Sequence, residues 1–92
     1  MSLWFTATIS LNMNHVHPDK DPEQGILNIF NKHGINIKAP LSEMSLRKLT
    51  KEIFEINICN PNSLLDEIHN SLKDLIKQPY ISGVSINKHY YF

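Results

Sequence analysis

Phe5-Thr6-Ala7-Thr8-Ile9-Ser10-Leu11-Asn12-Met13 alternates apolar and polar side chains along its whole length. Neighbouring side chains on an extended strand point to opposite faces. This period of two therefore predicts a strand over 4–13, with one face on a core and the other towards water. A half-buried strand needs cover for its apolar side, and the next segment offers it. Asn14-His15-Val16-His17-Pro18-Asp19-Lys20 has no periodicity and reads as a loop. Asp21-Pro22 then opens a helix over 22–33. Aspartate accepts from the free N–H groups of a first turn, and proline suits the first helical position because its missing N–H would have no partner there. Ile26, Leu27 and Phe30 form the apolar stripe of this helix, with Ile29 at its flank. Gly34 supplies the left-handed residue that closes it.

Alternation returns in Ile35, Ile37, Ala39 and Leu41, which predicts a second strand over 35–41, edged at Pro40. The polar stretch 42–51 reads as a hairpin connection with possible strand extensions on either side. A third strand follows over 52–58, with Phe54, Ile56 and Ile58 inward and Glu55 and Asn57 outward. Asn60-Pro61-Asn62-Ser63 forms a turn and helix start, where Ser63 and Asp66 approximate a capping box. Leu65, Ile68, Leu72, Leu75 and Ile76 recur at helical spacing and predict a helix over 63–77. A last strand, 81–88, carries Ile81, Val84 and Ile86. The order βαββαβ places the chain in the α+β class. Its expected form is a ferredoxin-like two-layer sandwich, two helices on one face of a four-stranded antiparallel sheet.

Ninety-two residues fit one domain, 1–92, with a modest core. Nine acidic and nine basic residues cancel, so no net field draws the chain onto nucleic acid or an anionic membrane. Modules of this element order that bind RNA stack bases on aromatic residues of their central strands. The third strand here, Lys51-Glu52-Ile53-Phe54-Glu55-Ile56-Asn57, is aliphatic and acidic, which argues against that use. One cysteine, Cys59, rules out a disulfide within the chain and fits a reducing compartment. With no membrane-length apolar run and no signal-peptide pattern at the start, a cytoplasmic protein is expected.

Residues that carry chemistry are sparse. His15 and His17, with Asp19 and Asp21 nearby, are metal-ligand types, yet they lie in a loop and no distant set completes a tetrahedral site, so no metal is expected. His33, at a helix end, is expected to meet terminal carbonyls, and His69 and His89 are scattered. No cofactor motif or catalytic constellation emerges. Arg47, Lys48 and Lys51 make a small basic patch in the hairpin, suited to a carboxylate or phosphate, or simply solvated. The tail Tyr90-Tyr91-Phe92 is aromatic beyond what a small core needs. It predicts either packing on a partner copy along a sheet edge or a fold-back that caps the sheet.

From the first helix onward the chain resembles the ACT domains that regulate amino-acid metabolism. The resemblance lies in Ile26-Leu27-Asn28-Ile29-Phe30-Asn31-Lys32-His33-Gly34-Ile35-Asn36-Ile37, a helix ending in phenylalanine, polar residues and Gly-Ile-Asn. Leu41-Ser42-Glu43-Met44-Ser45-Leu46-Arg47 stands where those domains carry Glu-Ser-Arg-Pro, and Glu52-Ile53-Phe54-Glu55-Ile56 is similar to their third strand. Where they place a Pro-Gly-Ala-Leu type turn, this chain has Asp21-Pro22-Glu23-Gln24-Gly25-Ile26 after a longer loop. The resemblance implies a non-catalytic, amino-acid-sensing regulatory module that works through subunit association. Its ligand site would draw on Asp21, Gln24 and Gly25, with Arg47 and Lys51 as charged partners. The ends of the chain are similar instead to the PurS subunit of phosphoribosylformylglycinamidine synthase. There Asp21-Pro22-Glu23-Gln24-Gly25 matches a helix start and Leu75-Ile76-Lys77-Gln78-Pro79-Tyr80-Ile81 a helix ending. That alternative implies an accessory subunit bridging a purine-biosynthetic amidotransferase complex. The uncovered sheet face and strand edges, with the aromatic tail, predict a homo-oligomer, and the resemblances add a small effector in one case and a metabolic enzyme partner in the other.

Overall fold

Strand β1 (Leu3–Leu11) lies at the centre of the sheet and pairs antiparallel with three others. The structure, a computed structural model, describes residues 3–38, 43–87 and 90–91, with side chains for 4–38 and 43–87. After β1 come helix α1 (Pro22–Lys32), strands β2 (Met44–Lys48) and β3 (Ile53–Cys59), helix α2 (Leu65–Ile76), strand β4 (Ile81–Ile86) and a short strand β5 (Tyr90–Tyr91). The sheet order is β2-β3-β1-β4, with β5 beside the start of β1. The fold is therefore the expected α+β sandwich, with an antiparallel four-stranded sheet under two helices. The register Phe5↔Ile58, Ala7↔Ile56 and Ile9↔Phe54 sets inward residues of β1 and β3 side by side. They pack against Ile26 and Phe30 of α1 and Ile68, Leu72 and Leu75 of α2. Taking each such side chain out of water contributes about 1.5–3 kcal/mol.

Asp21 caps α1 as expected. Its Oδ1 accepts from Glu23 N–H at 3.0 Å, and Pro22 takes the first helical position. Gly34 closes the helix at φ +86°, a conformation glycine adopts without strain.

The predicted second strand needs correction. Residues 35–36 are irregular and 37–38 form a turn, and the strand that pairs with β3 lies further on, at Met44–Lys48. Ile35 and Ile37 are 1% and 4% exposed because the chain leaving α1 plugs them into the core. Their alternation reflects that plugging rather than sheet pairing. Residues 39–42, the rest of the expected strand, lie outside the described residues. The second helix also starts differently. Asn60 adopts φ 53°, Pro61–Leu64 form a 3-10 turn, and Leu64 caps α2 without a side-chain bond, so the Ser63–Asp66 capping box does not form. Met13, expected inward, is 42% exposed because β1 ends at Leu11 and a 3-10 turn follows. A register shift between Ser10 and Leu11 lets Ile81 join Val84 on the core side, while Ile86, opposite Ala7 at the other end of β4, is half exposed.

Candidate functional site

Asn12 N–H donates to Tyr80 C=O at 2.8 Å, tying the end of β1 to the residue that introduces β4. The β1–α1 loop folds over this join. Asn14 N–H donates to Asn12 Oδ1 at 3.2 Å and Lys20 N–H to His17 C=O at 3.0 Å. Between the loop, the first turn of α1 and Tyr80 lies a hollow of about 340 Å³. Its floor is Val16, Pro22, Gly25 and the Tyr80 ring, while His15, His17, Lys20 and Asp21 stand around the mouth.

Gly25 decides the shape of that floor. A Cβ built on it would lie 2.8 Å from Tyr80 Oη, so a side chain there would push the hydroxyl end of the ring away from its place against the helix. The Tyr80 hydroxyl has no hydrogen-bond partner among the described residues, and burial raises its pKa above the ordinary value. The site thus offers an apolar floor, one unengaged hydroxyl and charges of both signs at the mouth. That combination suits a small molecule with an apolar body and a zwitterionic or polar head.

The five residues expected to bind a ligand are not all brought together. Asp21 and Gly25 line this hollow. Gln24 faces away, donating to Asn28 Oδ1 at 2.8 Å beside a shallower depression. Lys51 sits in the exposed β2–β3 turn, and Leu11 N–H donates to Glu52 C=O at 2.7 Å, so that turn lies at the same end of the sheet. Arg47 points to the sheet face opposite the helices, where Nη2 donates to Glu55 Oε1 at 2.9 Å. Asn57 Nδ2 donates to the same oxygen at 2.9 Å and Thr6 Oγ1 donates to Asn57 Oδ1 at 2.8 Å. Together the Asn57 and Arg47 donors hold the Glu55 carboxyl below the usual carboxylate range, against an opposing desolvation effect.

The sequence reading missed Val16 and Tyr80, both half-buried and far apart in the chain. Tyr80 follows Pro79 at a helix ending, where nothing in spacing marks it for the first loop. His33 does not bind helix carbonyls through its ring. Instead its Nε2 lies 2.9 Å from Asp74 Oδ2, joining the end of α1 to α2. Among the described residues no group of three or more His, Cys, Asp or Glu side chains is placed to hold a metal ion. No described helix is long and apolar enough to cross a membrane. Comparison of the chain with protein-family models, curated proteins and solved structures gives no match.

Proposed function

We propose that the protein is a ligand-sensing module of the ACT-like kind, binding a free amino acid in the hollow between the β1–α1 loop, α1 and Tyr80. The observation that carries this reading is the Gly25–Tyr80 floor facing Lys20 and Asp21. An apolar side chain would lie on Val16, Pro22 and the Tyr80 ring. The α-carboxylate would meet Lys20 and the α-ammonium Asp21, whose Oδ1 alone is engaged by the helix cap. The module performs no chemistry of its own. It reports occupancy by changing how its copies associate or how they engage a metabolic enzyme.

A thermal-shift panel of the standard amino acids tests this reading. A ligand that binds only the folded chain stabilises it by about 2.7 kcal/mol at a hundred times its Kd. For a domain of this size each kcal/mol raises Tm by roughly 4–8 °C. Leucine, isoleucine or phenylalanine should give such a rise, and Tyr80→Ala should abolish it. A flat panel together with retention of a large ATP-dependent amidotransferase on the immobilised chain would replace this reading with the PurS-like one.

A further inference from the structure

We propose that the sheet face opposite the helices is a second binding site, and that it takes the pyranose ring of a neutral saccharide. A hollow of about 640 Å³ lies on that face, bordered by Trp4, Ser45, Asn57 and Asn87 and by the Arg47–Glu55 pair. Trp4 shares the register of Thr6 on β1, so its indole stands on the open face, half-buried, apart from the core around Phe5 and Ala7. An aromatic platform surrounded by amides and hydroxyls is the first half of the argument.

The second half is the state of the polar groups. Thr6, Asn57, Glu55 and Arg47 are joined in one hydrogen-bonded row, and Asn87 Nδ2 donates to Thr8 Oγ1 at 3.0 Å. The row fixes these side chains without exhausting them. Glu55 Oε2, Asn87 Oδ1 and the second hydrogen on Asn57 Nδ2 enter none of these bonds. The Ser45 hydroxyl and Trp4 Nε1–H have no partner among the described residues. Pre-positioned donors and acceptors beside a ring are what a set of vicinal hydroxyls requires.

Charge selects the ligand class. Arg47 and Glu55 neutralise each other at 2.9 Å, so the charges of the described lining residues cancel. A phosphate or carboxylate would meet the Glu55 carboxylate, and among the described residues of the hollow there is no row of cations to follow a nucleic-acid backbone. A cation would have to compete with Arg47. An aliphatic ligand would strip water from the polar groups and return no hydrogen bonds. A neutral ring with hydroxyls at its rim and C–H bonds on its face meets every group present. This site lies on a different face from the Gly25–Tyr80 hollow and stands independently of the function proposed there.

Trp4 is the chain's one tryptophan, so its fluorescence reports on the site directly. The full chain is titrated with maltotriose, cellotriose, mannotriose and triacetylchitotriose. A saturable emission change in the millimolar range is expected with at least one of them. Ser45→Ala and Asn87→Ala, each checked by circular dichroism for an intact fold, should weaken that binding several-fold. Trp4→Ala, followed by saturation-transfer NMR, should abolish it. The proposal is overturned if none of the four sugars saturates, or if adenosine or a nucleotide saturates instead. It is equally overturned if Ser45→Ala and Asn87→Ala bind the sugar as the parent chain does.

Discussion

A single missing methyl shapes the candidate site. Glycine inside a helix costs about 1 kcal/mol relative to alanine, and Gly25 sits in the first turns of α1 with no unusual backbone angle to justify it. Its role is to leave room for the Tyr80 hydroxyl. Gly25→Ala should therefore gain in helix formation and lose in ring displacement, leaving stability nearly unchanged while ligand binding disappears. Adding Tyr80→Phe relieves the clash, so the double variant should be more stable than Tyr80→Phe alone by about 1 kcal/mol in urea denaturation. A gain of the same size from Gly25→Ala in the parent chain would mean that the Tyr80 hydroxyl does not sit on Gly25. Asp74 supports a second test. Hydrogen bonds from His33 and then Lys32 hold its carboxyl below the usual carboxylate range. A folded-state value below the unfolded one contributes stability that is present above about pH 4 and lost as pH falls towards the lowered value. Asp74→Asn should then destabilise the chain at pH 7 and have little effect at pH 3; the same loss at both would refute the linkage. Of these residues Asp21, Pro22 and Gly34 were legible in the sequence, because caps are local. His33–Asp74 and Gly25–Tyr80 were not, since each joins residues more than forty positions apart.

At the level of elements, the legible ones were those whose pattern had a single physical cause. In β1 and β3 alternation follows from one buried and one open face, and in α2 the spacing of Ile68, Leu72 and Leu75 follows from one buried stripe. The second strand was misplaced because Ile35 and Ile37 are buried at alternate positions without belonging to a strand. Met44–Lys48, which does pair, holds a single fully buried residue, Leu46. A short edge strand with charges on it gives almost no periodic signal. Strand β5 raises a separate expectation. Its pairing, Leu3↔Tyr91 and Trp4↔Tyr90, continues the edge beyond β4, so the tail backbone joins the chain's own sheet. Ending the chain after Lys88 should speed amide hydrogen exchange at Trp4, which shares the β4 side of β1 with Thr6, while residues 5–11 keep their protection. Unchanged exchange at Trp4 would show that β5 adds no stability there.

Across the whole molecule, one small core carries both candidate sites. Phe54 is 1% exposed beneath the helices and backs the strand that presents Glu55 and Asn57 on the other side. Phe54→Ala should cost about 3–5 kcal/mol. That is a large share of the roughly 5–15 kcal/mol that holds a domain together, so the variant should be partly unfolded at 37 °C by circular dichroism. A native spectrum and unchanged Tm would contradict this account of the core. The strand order β2-β3-β1-β4 also bears on how the chain comes into being. Strand β1 has its ladder partners at Ile53–Cys59 and Ile81–Ile86, so it leaves the ribosome before either of them, with both edges bare. Until β4 has also left the ribosome, Phe5, Ala7, Ile9 and Leu11 form a sticky ribbon waiting for neighbours. A nascent chain in that condition is a natural client for a chaperone, and a messenger cut short before codon 81 should yield aggregate rather than a smaller folded piece.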